Sequence, residues 1–159
     1  MDGLGYVSAV LLAGVFVLAG AAKLARPAAT VTSFVALGVP AARAVARVVP
    51  FVELLVAAAL LAAPRWGAIA ALALLAPFTA VLSRAVAGGS QTPCNCFGTA
   101  RAEPVSWVDV VRNIMLGALA GVSLTAAEPV VPSLAAVVSA ASVFAAGQIA
   151  LTRLYRRQD

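Results

Sequence analysis

LGYVSAVLLAGVFVLAGAAKL, residues 4–24, decides the fold. No charge interrupts it between Leu4 and Ala22, and its length matches the roughly 20 apolar residues that a helix needs to cross a hydrocarbon core about 30 Å thick. Ala and Leu dominate, which favours a helix; a barrel strand would alternate strictly over about 10 residues. Four more stretches of this kind follow, at 44–63, 66–87, 105–126 and 130–151. The expected fold is therefore an all-α, polytopic transmembrane helical bundle with four core spans and a fifth, C-terminal one. A single membrane domain over 1–159 is expected, because no shift in composition marks a second.

The rest of the chain agrees with that reading. It is 63% hydrophobic and 11% charged, with a mean hydropathy of +1.03, whereas a soluble domain is about half apolar and about a quarter charged. No soluble fold of 159 residues could hide so much apolar surface. A multi-pass protein of the cell (plasma or inner) membrane is the expectation, with the bilayer as its first partner. The small residues Ala19, Gly20 and Ala21 resemble a signal-peptidase site, but the leading residues hold Asp2 and no Lys or Arg, so a retained first span is expected.

The net charge of +5 does not indicate nucleic acid. The basic residues lie at the ends of apolar stretches, where Lys and Arg reach toward headgroups, and no basic stripe with interleaved aromatics exists. Histidine is absent, which removes the usual general base, the commonest metal ligand and a Ser-His-Asp arrangement. No metal site is expected.

The connections differ in character. Residues 25–43 can hold a short surface helix, with turn signals at Pro27 and at Gly38–Pro40. Pro64 and Arg65 read as a tight hairpin. The polar loop GGSQTPCNCFGTARAEP, residues 88–104, holds the chain's only cysteines, Cys94 and Cys96. Thiols one residue apart can close a strained ring that is easily reduced, and strained, exposed disulfides tend to be catalytic or regulatory. As a staple the bond would close almost no chain and add little stability. Structural zinc needs about four ligands, which two thiols do not supply. A redox pair is the leading reading; inert free thiols are the bland one.

Several ionisable or polar groups fall inside the spans: Glu53 in the second, Arg112 and Asn113 in the fourth, and Lys23 at the end of the first. Such groups are costly at membrane depth and usually face the bundle interior in pairs. Glu53 is expected to pair with Lys23 or Arg112. These groups could tune the thiols or simply lock the helices together. Gly117 and Gly121 have the spacing of a close helix crossing, although so Ala- and Gly-rich a chain produces that spacing by accident.

Taken in order, several stretches resemble the MauE family of membrane proteins (methylamine utilisation, DoxX-like). They are AGAAKL (19–24), Pro27 and Phe34, GVP (38–40), PFVEL (50–54), CNCFG (94–98) and PVSWVDVVRN (104–113). The resemblance covers about 4–126 and leaves the span at 130–151 outside. It implies a membrane protein that accompanies maturation of a disulfide-rich methylamine dehydrogenase beside a thioredoxin-like partner, although many family members occur without that enzyme. Cys94 and Cys96 would be the reactive pair, Phe97 and Gly98 would shape the turn, and Glu53, Lys23, Arg112 and Asn113 would be the supporting polar set. A lipid quinone as electron sink or source enters only by analogy with other membrane thiol oxidoreductases. A homo- or hetero-oligomer is a further expectation.

With five spans, the cysteine loop shares a side with most of the Lys and Arg residues, and the positive-inside rule puts that side in the cytoplasm. A thioredoxin-like partner outside the cytoplasm would require the reverse. Two other function classes stay open beside the redox one: a non-catalytic assembly or scaffold subunit, and a small-solute transporter built on the intramembrane charges.

Overall fold

The computed structural model describes residues 2–90 and 104–126, and all of its elements are helices: α1 (Asp2–Ala25), α2 (Pro27–Ala36), α3 (Ala42–Ala62), α4 (Pro64–Ala87) and α5 (Trp107–Ser123). Three of them, over Gly3–Ala25, Ala42–Ala62 and Pro64–Ala87, are long and apolar enough to cross a membrane. The expected fourth span is shorter than its apolar run. Pro104 cannot donate to a helix ladder and Ser106 has the extended backbone of an N-cap, so α5 begins at Trp107 and holds 17 residues. The expected span at 130–151 lies outside the described residues. So do Cys94, Cys96, Phe97 and Gly98.

Helices α3 and α4 each begin two residues earlier than their apolar runs suggest, and a single residue, Ala63, joins them. Pro64 makes this possible, because a proline at the first helical position lacks only an N–H that the helix would leave unused. Successive long helices run antiparallel, with α1 packed chiefly on α3 and α4 on α5. The core is rich in alanine: Ala9, Ala13, Ala57, Ala68, Ala71 and Ala120 interlock with Leu12, Phe16 and Leu60. This is what a bilayer requires. Lipid tails are as apolar as leucine, so helices associate through close van der Waals packing, which small side chains allow.

The outer faces carry large apolar side chains, among them Leu18, Leu55, Ile69, Ile114 and Met115. Trp66, 72% exposed, lies in the first turn of α4 and Trp107, 60% exposed, begins α5. In an antiparallel pair these two starts lie at opposite ends of the bundle, where indole rings favour the two membrane–water interfaces. Hydroxyls inside the helices return to backbone carbonyls one turn back: Ser8 to Leu4, Thr79 to Leu75, Ser123 to Leu119. These three need no other partner in lipid, whereas the buried Tyr6 hydroxyl of α1 has none among the described residues.

The expected surface helix is α2, but it is not merely superficial. Its Thr30, Ser33 and Phe34 are buried, and Phe34 packs with Ala42 and Ala46 of α3. The helix stops because Gly38 adopts φ +70, which lets the Gly38 N–H donate to the Val35 carbonyl and the Val39 N–H to the Phe34 carbonyl. Helix α4 ends in the same way at Gly89, with φ +67. There the N–H groups of Gly89 and Ser90 donate to the carbonyls of Val86 and Ala85.

At the start of α5, the Ser106 N–H donates to Asp109 Oδ2 at 3.0 Å. Asp109→Ala removes this bond and a carboxylate from the positive end of the helix. A loss of about 1 kcal/mol in chemical-denaturation stability is expected, and Asp109→Asn should recover part of it. Gly117 and Gly121 meet nothing within 4 Å of where a Cβ would stand, so among the described residues they mark no helix crossing.

Candidate functional site

Lys23 and Glu53 build the site from its deepest polar point. Glu53 lies near the middle of α3, where a lone carboxylate would have neither water nor partner. Lys23, in the last turn of α1, reaches it with Nζ 2.6 Å from Oε1 and 2.9 Å from Oε2, so both carboxylate oxygens accept from one ammonium. Their side chains are only 3% and 10% exposed. The close approach of the helices depends on Gly20, one turn before Lys23: a Cβ there would stand 3.0 Å from the Pro50 carbonyl and 3.2 Å from Leu54. Of the two cations expected for Glu53, the partner is Lys23. Arg112 follows Val111 on α5, engages groups of its own, and is not among the residues lining the cavity described next.

The ion pair borders a cavity of about 350 Å³ to which all five helices contribute. Three phenylalanines line it, Phe16 from α1, Phe34 from α2 and Phe78 from α4, with Val45 and Val49 from α3. Lys23, Glu53 and Asn113 are its polar lining residues. Lys23 also borders a second recess, of about 480 Å³, which Arg47 and Phe51 help to form.

Asn113 is 5% exposed and ties α5 to α4. Its Nδ2 donates to the Leu75 carbonyl at 3.2 Å and to Thr79 Oγ1 at 2.6 Å. The orientation of the amide is set by chemistry: a carbonyl only accepts, and the Thr79 hydroxyl already gives its proton to the same Leu75 carbonyl at 2.7 Å. The Asn113 oxygen therefore faces away from both. Among the described residues it accepts no hydrogen bond.

The structure thus brings together three of the polar residues expected to support the site, Lys23, Glu53 and Asn113. Sequence reasoning missed Thr79 and the phenylalanine walls. Thr79 lies one turn after Leu75 inside an apolar run, and nothing but the packing of α5 distinguishes it from a hydroxyl bonded to its own helix. Among the described residues, no group of three His, Cys, Asp or Glu side chains could hold a metal ion.

The connectivity relates this half of the bundle to the cysteine loop. Phe78 and Val81 lie in the C-terminal half of α4, and Asn113 lies two turns into α5. The chain leaves α4 at Ala87 and re-enters at Trp107. Both attachment points are at the end where α1 finishes beside Lys23.

The family described as methylamine utilisation protein MauE matches residues 1–126. The chain belongs to the MauE family. It is also 38% identical over 130 residues to the methylamine utilization protein MauE of Paracoccus denitrificans, which covers 78% of this chain and 70% of the relative. No solved structure matches it. The MauE match takes in Lys23, Glu53, Asn113 and the segment that holds Cys94 and Cys96, and it ends before the apolar run at 130–151.

Proposed function

We propose that this MauE-family chain is an integral membrane thiol–disulfide protein of the cell (plasma or inner) membrane, whose Cys94 and Cys96 exchange electrons with a thioredoxin-like partner. In this reading it supports maturation of a disulfide-rich enzyme of methylamine utilisation. α5 is its fourth span and 130–151 an additional one. The observation that carries the proposal is the placement of the chain's only two cysteines, one residue apart, in the segment joining α4 to α5 within the family-matched region.

The chemistry balances as a dithiol exchange. One cysteine, as thiolate, attacks a sulfur of the partner's disulfide, forms a mixed disulfide and releases a partner thiolate. The second cysteine then attacks the mixed disulfide. The partner leaves with two electrons and two thiols, and this chain is left with a Cys94–Cys96 disulfide; the reverse sequence oxidises the partner.

Thiol trapping of Cys94→Ser and Cys96→Ser tests this. One of the two variants should accumulate a mixed disulfide that its wild-type parent resolves, and both should fail to support partner maturation. Normal maturation in both variants, with no trapped species, would overturn the proposal in favour of a scaffold role. Alkylation of the thiols in intact cells by a membrane-impermeant reagent fixes the side of the membrane. Arg26, Arg43, Arg47 and Arg84 are all exposed and lie toward the end from which the loop departs, and by the positive-inside rule that end faces the cytoplasm.

A further inference from the structure

The cavity between the helices has properties that the dithiol reading does not use. Its volume of about 350 Å³ is more than twice that of an apolar cavity of about 150 Å³ that accepts benzene, and it reaches the lower end of ligand pockets, roughly 300 Å³. It therefore has room for a ring and a short chain. Phe16, Phe34 and Phe78 offer edges and faces to a ring from three different helices. The charges bordering it cancel, because both Glu53 oxygens are already engaged by Lys23. A charged guest would lose its hydration and find no counter-charge. The Asn113 oxygen, on a side chain that lines the cavity and is almost fully buried, has full acceptor capacity among the described residues.

We propose that this cavity binds an uncharged, lipid-soluble aromatic alcohol, a phenol or quinol, whose ring lies among the three phenylalanines and whose O–H donates to Asn113 Oδ1. Each requirement has its own residue. The ring matches the aromatic walls, neutrality matches the closed ion pair, and the hydroxyl offers a hydrogen to the Asn113 carbonyl. A phospholipid acyl chain would fill the space but leave that oxygen unsatisfied. The inference involves no cysteine and stands or falls separately from the thiol chemistry.

The test uses the full chain in lipid nanodiscs and reads the thermal unfolding midpoint during titration with 4-hexylphenol. The midpoint should rise and saturate. Hexylbenzene, which lacks the hydroxyl, should bind about ten-fold more weakly, the equivalent of one hydrogen bond. The anion 4-hexylbenzoate should produce no saturable rise. In Asn113→Leu the preference for hexylphenol over hexylbenzene should vanish. Because that substitution also cuts a tie between α4 and α5, Val49→Phe provides a second probe: it fills the cavity, leaves Asn113 intact and should abolish the rise. An arm with 2-hexylhydroquinone separates the two sources, binding more tightly than hexylphenol if the natural ligand is a quinol and equally if it is a phenol. Equal, non-saturating shifts with all compounds, or a rise unchanged in Val49→Phe, would show simple partitioning into the bilayer and overturn the proposal. No shift at all would overturn it too, with a lipid tail or another segment of the chain as the occupant.

Discussion

Lys23→Met is expected to destabilise the folded protein by about 3–5 kcal/mol, the usual cost of removing one partner from a buried ion pair. The reason lies in what remains. Glu53 would keep its place near the middle of α3, with both oxygens stripped of the ammonium that now lies 2.6 and 2.9 Å away. Glu53→Leu, which strands the ammonium, should cost less, because Lys23 sits in the last turn of α1 and its flexible stem can carry the charge outward. The double variant, Lys23→Met with Glu53→Leu, should recover most of the loss, since an apolar pair of similar volume commonly matches a buried ion pair in stability. Chemical denaturation in detergent micelles, run on the two single variants and the double, measures the coupling directly. A cost below about 1 kcal/mol for Lys23→Met would mean that the pair is screened as a surface bridge is, and that α1 and α3 do not bury it.

The second large effect is expected where α3 turns into α4. A Cβ on Gly67 would clash with the backbone nitrogen of Leu60, and would stand 2.5 Å from the Leu60 Cα and 2.7 Å from the Ala59 carbonyl carbon. These are backbone atoms of a neighbouring helix and cannot rotate away. Gly67→Ala must therefore separate the two helices next to their one-residue junction, and Leu60 and Ala68, both fully buried in the core, separate with them. A loss of at least about 3 kcal/mol is expected, the upper part of the range for overpacking. Gly14→Ala is the internal control. Nothing lies within 4 Å of a Cβ there, so the change should be neutral or stabilising by less than about 1 kcal/mol. Similar midpoints for the two variants would show that the α3–α4 junction tolerates a wider crossing than the structure implies.

The helical bundle was legible in the sequence because lipid imposes a simple condition, long uncharged runs, and residues 4–24, 44–63 and 66–87 meet it. Where α5 begins was less legible. Hydropathy runs on through Val105, while the helix waits for the Ser106 cap. Glu53 stood out as a charge in an apolar run, but its partner did not: the rotation of one helix about its axis relative to the next is fixed by packing, here by Gly20 against Pro50 and Leu54. Helix α2 misled for a related reason. Its composition suits a surface, yet Phe34 turns inward to line a cavity that only the five converging helices define. Cavity shape is a property of the assembly and leaves no pattern in any one segment. The likeness of CNCFG to the MauE motif rested on residue identity and needed no fold to be seen.

The Lys23–Glu53 pair also has a consequence for biosynthesis. Its two members are thirty residues apart in the chain, and α1 leaves the ribosome first. Its lysine can wait at the membrane surface, because it occupies the last turn of its helix. Glu53 has no such refuge near the middle of α3, and a carboxylate there opposes entry into lipid. Helix α3 can settle at its final depth only against an α1 already in place, so the order of synthesis delivers the tolerant charge before the intolerant one.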